Sequence, residues 1–87
     1  MSLFDQCAKL RASYPGVLIL MRVGDYYEAF DEDADSLASV LGITKTMRGE
    51  HRMAGFPHHW LEPYLSKLVK AGVRVAVADP VTEKPDA

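Results

Sequence analysis

The pair Tyr26 and Glu28 places an aromatic ring and a carboxylate two residues apart in a segment rich in aromatic side chains. Aromatic residues suit a pleated surface, so residues 26–30 are predicted to form a strand or the end of one. Residues two apart in a strand project from the same face, and the ring and the carboxylate can therefore reach one target together. Either residue alone is more often a packing or solvated side chain than part of a site.

Charged residues fall into two blocks along the chain, although the formal net charge is only −2. This separation predicts two electrostatically different sides, of which only the basic one could face phosphates. The basic side chains could equally form a solvated turn. The acidic block comprises Asp25, Glu28, Asp31, Glu32, Asp33 and Asp35, and the basic block comprises Lys45, Arg48, His51 and Arg52.

No catalytic residue, metal site or cofactor site is predicted. Several acids are candidate Mg²⁺ ligands of a small nuclease. Alternation along a strand would separate their side chains, however, and no lysine lies among them. The histidines lack metal-ligand spacing with the single Cys7, and the GxxxxGK[ST] nucleotide-binding loop is absent from the sequence. The acids are Asp25, Glu28, Asp31 and Asp33, and the histidines are His51, His58 and His59.

The cysteine content and the hydropathy bear on location. One cysteine cannot form an internal disulfide and fits a reducing cytosol. No apolar run approaches the ~20 residues that cross a bilayer. We therefore expect a cytoplasmic protein that contacts no membrane.

The first half of the chain shows two helical patterns around a short apolar run. Apolar residues at helical spacing predict an amphipathic helix over residues 3–13, and the continuous apolar run 17–21 predicts a strand buried on both faces. A second helix is predicted from Ala34 to Leu41, ended by Gly42. Asp31 and Asp33 are its candidate N-caps.

The second half predicts a short strand, a helix and a final strand. Residues 43–46 should begin a strand, residues 47–52 should form a polar turn, and residues 53–56 should return as a strand. A helix begins near His59 or Trp60, with the Trp60 stripe in the core, and the valines of residues 73–77 should point inward from a strand. The fold class is therefore mixed α/β (α+β), a small mixed β-sheet flanked by about three helices. Residues 1–80 form the domain, and residues 81–87 form a polar tail or a truncated linker.

Four segments carry a family resemblance: GDYYEAF at residues 24–30, the Arg48-Gly49 turn, MAGFPHH at residues 53–59, and YLSKLV at residues 64–69. In order and spacing they resemble the GDFYE-type segment, the threonine-lysine-arginine-glycine turn, the MAG-x-P-x-H segment and the YLxKLV helix of one family. That family is MutS, and the segments belong to the N-terminal mismatch-binding domain (domain I) of its DNA mismatch repair proteins. Any one segment would be a weak signal, but four in register across about residues 3–82 are a strong one.

The resemblance implies a DNA-binding domain and not an enzyme. Its expected partners are double-stranded DNA with a mispair or small loop and other domains of a larger MutS-like protein, where any ATPase activity would reside. In the family a Phe-x-Glu pair enters the minor groove, where the ring stacks on a mispaired base and the glutamate hydrogen-bonds to it. These roles fall on Tyr26, where the family usually has phenylalanine, and on Glu28. The turn arginine that helps hold the DNA is Arg48, and Arg52 and Lys45 complete the predicted DNA-binding residues.

An alternative function remains open from the sequence. A MutS-like fold could be reused in a larger or mobile-element protein as a non-catalytic interaction module without mismatch specificity. The acidic net charge and the tyrosine at position 26 favour this alternative.

Overall fold

A computed structural model describes residues 2–79, which form three α-helices, one 3₁₀ turn and five β-strands. The helices are α1 (Leu3–Ser13), α2 (Glu32–Leu41) and α3 (Leu61–Lys70), and the 3₁₀ turn is His58–Trp60. The strands are β1 (Leu18–Val23), β2 (Tyr26–Phe30), β3 (Thr46–Arg48), β4 (His51–Pro57) and β5 (Val75–Ala78). Within residues 2–79, no helix has the length and apolar character needed to cross a bilayer. The predicted tail at residues 81–87, and with it the domain end at residue 80, lies outside the described residues.

The five strands form one mixed sheet in the order β3-β4-β2-β1-β5. β1 pairs in parallel with β5, and the other neighbouring strands pair antiparallel. Gly24 adopts φ 58° in the tight turn between β1 and β2, a conformation that glycine reaches without steric cost. The predicted fold class, a small mixed sheet flanked by about three helices, is confirmed.

The two faces of the sheet carry different helices. α2 and α3 cover one face, where Leu20, Tyr27 and Leu37 belong to the larger buried cluster. α1 covers part of the other face, where its Cys7 packs in a cluster with Ile19 of β1. We call these the α2–α3 face and the α1 face. Side chains alternate between the faces along each strand, so β2 sends Tyr27 to the first face and its neighbours to the second.

The helix ends differ in how their backbone groups are satisfied. At the start of α1, Ser2 and Asp5 form a reciprocal capping box, and α2 ends at the left-handed Gly42 as predicted. Of the two candidate N-caps of α2, Asp31 occupies the position, but its side chain forms no capping hydrogen bond. Its Oδ2 lies 2.9 Å from His51 Nδ1, and Asp33 accepts a hydrogen bond from the Ile19 N–H at 3.1 Å. Tertiary partners therefore engage both carboxylates.

The predicted boundaries between residues 43 and 52 are wrong. The strand is β3 at Thr46–Arg48, the turn contains only residues 49 and 50, and β4 already begins at His51. Arg48 pairs directly with His51 across this hairpin, and Gly49 adopts φ 63°. A glycine at positive φ permits the two-residue turn, so the polar residues 51 and 52 belong to a strand.

Three predicted core positions are exposed, namely Val77, Trp60 and Val69 of the same helical stripe as Trp60, the last at 62%. Trp60, 48% exposed, belongs to the 3₁₀ turn that precedes α3 and stacks on Tyr64 with ring centroids 6.0 Å apart. Because it stands before the helix, it falls outside the buried stripe, which centres on Leu68. Val77, 44% exposed, lies on the edge strand β5, which has one neighbouring strand, so the prediction that all these valines point inward is wrong.

Candidate nucleic-acid interface

Tyr26 and Glu28 line the same shallow groove on the α1 face of the sheet. The groove has a volume of about 280 Å³. Tyr26 begins β2 opposite Pro57 and is 47% exposed, whereas Glu28 lies opposite Gly55 and is 6% exposed. An exposed ring and a buried carboxylate thus share one open surface. The groove is lined by Tyr26, Glu28, Thr44, Thr46, Met53 and Gly55.

The Glu28 carboxylate is held by an arginine from the β3–β4 hairpin. Nη1 of Arg48 lies 3.2 Å from Oε1 and 3.4 Å from Oε2 of Glu28. Burial raises the pKa of Glu28 above its ordinary value, and the positive charge of Arg48 opposes that shift. Among residues 2–79, Arg48 is the one cation within ion-pair distance of this carboxylate.

Gly55 leaves room for the Glu28 side chain. An alanine Cβ at this position would lie 2.8 Å from the Tyr27 carbonyl oxygen and 3.0 Å from Glu28 Cγ. The first distance is shorter than real Cβ contacts allow, and the second requires the glutamate to move. The absence of a side chain at residue 55 therefore sets where the carboxylate can lie.

Sequence reasoning missed the residues that line the groove around the predicted pair. Met53 and Gly55 alternate with buried residues along β4, and Thr46 of β3 lies opposite Met53. The signal was present in the alternation of residues 53–57, because every second residue of a strand faces the same side. It could be used only once the pairing of β4 with β2 was known.

Lys45 and Arg52 lie apart from the Tyr26–Glu28 groove and converge on α2. Arg52 holds Asp35 through two hydrogen bonds, Nε to Oδ1 at 2.9 Å and Nη2 to Oδ2 at 3.0 Å. Lys45 Nζ lies 3.1 Å from the same Oδ1. These hydrogen bonds lower the pKa of Asp35, those of Arg52 having the largest effect. Of the predicted DNA-binding residues, the fold brings Tyr26, Glu28 and Arg48 together and groups the other two around Asp35.

The acidic and basic blocks of the sequence are interleaved in the fold. The acids at the start of α2 pair with cations from other elements, as in the 2.7 Å hydrogen bond from Arg11 Nη2 to Glu32 Oε1. The prediction of two electrostatically different sides is therefore wrong, because the β3–β4 hairpin folds its cations onto these acids. Within residues 2–79, no group of three or more His, Cys, Asp and Glu side chains is arranged to hold a metal ion.

Comparison with known proteins places the chain in a family. The sequence profile described as MutS domain I matches residues 1–87. The chain belongs to the MutS domain I family. The DNA mismatch repair protein MutS of Cytophaga hutchinsonii is 53% identical to it over 75 residues, which cover 80% of this chain and 9% of that protein.

Other relatives share the same name and the same partial coverage. The DNA mismatch repair protein MutS of Flavobacterium johnsoniae is 50% identical over 82 residues, covering 88% of this chain and 9% of that protein. The MutS of Thermotoga neapolitana is 46% identical over 81 residues, covering 93% of this chain and 10% of that protein. The chain therefore spans about a tenth of the length of the curated relatives it matches.

The family assignment confirms the resemblance seen in the sequence, and three of its four segments meet at the groove of this MutS domain I chain. Residues 24–30 supply Tyr26 and Glu28, the hairpin turn supplies Arg48, and residues 53–59 supply Met53 and Gly55. The fourth segment, residues 64–69, lies in α3 and packs against the core.

Proposed function

We propose that this chain is the DNA-binding recognition domain of a longer DNA mismatch repair protein, a binding domain and not an enzyme. Its partner is double-stranded DNA that carries a mispair or a small loop. Tyr26 inserts its ring beside the loosened base, and Glu28 hydrogen-bonds to that base. The observation that carries the proposal is the shared groove, in which an exposed ring adjoins a buried carboxylate.

The Tyr26 ring suits a wedge because it is exposed while its backbone is fixed at the start of a paired strand. Inserting an apolar wedge costs a few kcal/mol of base unstacking. That cost is smallest at a mispaired base, which is already weakly held. Stacking on an aromatic ring returns about 1–3 kcal/mol per base and tolerates any base, as a sensor of many mispairs requires.

Glu28 can discriminate between mispaired and matched DNA because its carboxylate is buried. A desolvated carboxylate next to DNA must find a hydrogen-bond donor on a displaced base or take up a proton itself. In a matched duplex the bases remain paired and the phosphates repel the charge. Glu28 therefore penalises binding to matched DNA more than binding to a mispair.

Lys45 and Arg52, together with Arg48, are proposed contacts to the DNA backbone. In the free chain Lys45 and Arg52 are both paired with Asp35. Binding phosphate then exchanges one anion for another, which reduces the gain in affinity from each contact. The formal net charge of −2 has the same effect, and we expect weak binding by this chain alone.

The proposal is tested by titrating the ¹⁵N-labelled chain with two duplexes that differ only by one G·T mispair. We expect tighter binding to the mispaired duplex, with chemical-shift changes centred on residues 26–28. Tyr26→Ala should weaken mispair binding by about 5- to 150-fold, the equivalent of the stacking energy. Tyr26→Phe should retain binding, because the ring is kept.

Tyr14→Ala is the matched control, since Tyr14 is also exposed, at 53%, but lies at the end of α1. It should bind both duplexes as the wild type does. Equal binding to the matched and mispaired duplexes would reject mismatch recognition. That result, with Tyr26→Ala leaving binding unchanged, would favour an interaction module without mismatch specificity.

A further inference from the structure

An ion pair joins Arg48, the proposed contact to the DNA backbone, to Glu28, the proposed contact to the mispaired base. Arg48 stands on β3 at the sheet edge, and Glu28 stands on β2, with β4 between them. A single nitrogen, Arg48 Nη1, contacts both carboxylate oxygens, at 3.2 and 3.4 Å. The side chain of Arg48 is 44% exposed and that of Glu28 only 8%. The guanidinium therefore reaches solvent while it also contacts the buried acid.

We propose that Arg48 is a positioning residue that acts on mispair discrimination through Glu28: its Nη1 holds the carboxylate charged and against the sheet while the other N–H donors of the guanidinium meet DNA phosphate. This inference rests on the proposed function. It adds that the contribution of Glu28 to recognition depends on Arg48. One side chain thereby links contact with the DNA backbone to the charge that Glu28 presents to a base.

The geometry supports this coupling in two ways. A guanidinium carries five N–H donors, and both contacts to Glu28 come from Nη1, so the three donors on Nε and Nη2 can meet an approaching phosphate. Removing the guanidinium leaves a buried carboxylate without its cation, and burial then favours the protonated form. A neutral Glu28 no longer penalises matched DNA, so discrimination depends on Arg48 even where Arg48 touches no base.

The first test uses the free chain and no DNA. The Glu28 carboxyl carbon is followed by ¹³C NMR against pH in the wild type, Arg48→Met and Arg52→Met. We expect the pH at the midpoint of the Glu28 titration to rise in Arg48→Met. It should not change in Arg52→Met, because Arg52 pairs with Asp35 instead. An unchanged Glu28 midpoint in folded Arg48→Met overturns the proposal.

Folding of each variant is checked by its ¹H–¹⁵N spectrum. If Arg48→Met does not fold, Arg48→Gln replaces it, with the same expected rise of the midpoint. Arg48→Lys keeps the charge, and its midpoint should return toward that of the wild type. A rise in Arg48→Lys as large as that in the uncharged variants contradicts a role for the charge.

The second test is a double-mutant cycle on the ratio of matched to mispaired dissociation constants. Arg48→Met should lower this ratio about tenfold when Glu28 is present, the scale of a lost charged hydrogen bond. In the Glu28→Gln background the same change should alter the ratio by less than about twofold, since the group it acts through is gone.

The alternative outcome is an independent phosphate contact. Arg48→Met would then weaken binding to both duplexes equally in both backgrounds and reduce the salt slope by about 0.9. That result overturns the proposal and leaves the proposed function intact. If the wild type shows no preference for the mispair, the proposed function fails, and the free-chain titration still decides whether Arg48 holds Glu28.

Discussion

Replacing Gly55 with alanine tests the close approach that positions Glu28. The new Cβ would lie 2.8 Å from a carbonyl oxygen of the paired strand and 3.0 Å from Glu28 Cγ. The carbonyl belongs to the central sheet and cannot move freely, so the strands must separate or the glutamate must leave its place. Overpacking of this kind costs about 1–3 kcal/mol. In a domain of this size that lowers Tm by roughly 4–24 °C.

The sign of the effect is informative because glycine-to-alanine changes at unstrained positions ordinarily stabilise by about 0.4–1 kcal/mol. Thermal unfolding followed by circular dichroism measures the change, and NMR shifts of Glu28 and Arg48 report whether their ion pair is disturbed. Gly72→Ala is the control, because Gly72 has φ +84° and no atom within 4 Å of the added Cβ. It should lower Tm through backbone strain and leave the Glu28 signals in place. A Gly55→Ala variant as stable as the wild type, with unchanged Glu28 signals, would refute the reasoning.

Three other predictions test the charge pairs and the core. Asp35→Asn removes the anion that Arg52 holds, so affinity for matched and mispaired duplexes should rise together, as measured by fluorescence anisotropy at several salt concentrations; unchanged affinity would contradict the exchange of anions. Burial raises the pKa of Glu28, so the folded chain keeps this proton to higher pH than the unfolded chain. Wild-type stability should therefore fall relative to Glu28→Gln as pH rises from about 4.3 through the raised pKa, and urea unfolding that shows a flat or opposite difference would contradict it. Leu68→Ala, at a side chain 0% exposed, should cost about 2–5 kcal/mol in urea unfolding. Val69→Ala, at a side chain 62% exposed, should cost less than about 0.5 kcal/mol, and equal losses would contradict the buried side of α3.

The elements with strong local patterns were predictable from the sequence. α2 follows from apolar residues at helical spacing that include Leu37 and Leu41, with Gly42 as its stop, and all three occupy the predicted places. β1 follows from one apolar run after a Pro-Gly pair, and Leu18 to Met21 are buried as expected. In both elements the pattern that specifies the secondary structure also specifies what is buried.

Elements that depend on long-range pairing were not predictable in detail. The sequence pattern predicts a turn at His51 and Arg52. They are strand residues instead, because β4 extends beside β3 and β2. The exposure of Trp60 depends on a 3₁₀ turn before α3, which helical periodicity does not distinguish from the first turn of the helix. The position of Val77 depends on which strand forms the sheet edge.

The candidate site was predictable as a pair of residues but not as an arrangement. Tyr26 and Glu28 share a face because strand alternation requires it, and the sequence sufficed for that step. The cation that reaches Glu28 lies 20 residues away, and the glycine opposite it is set by the register of β2 with β4. Neither can be read from local spacing, because both depend on the order of strands in the sheet.

The measurement that tests the proposed wedge most directly is an isotope-filtered NOE experiment on the chain saturated with a mispaired duplex. The Tyr26 ring protons should show cross-peaks to protons of the mispaired base, and these should be absent with the matched duplex. Cross-peaks from that ring to sugar protons only, or none at all in a formed complex, would mean that the ring does not enter the base stack.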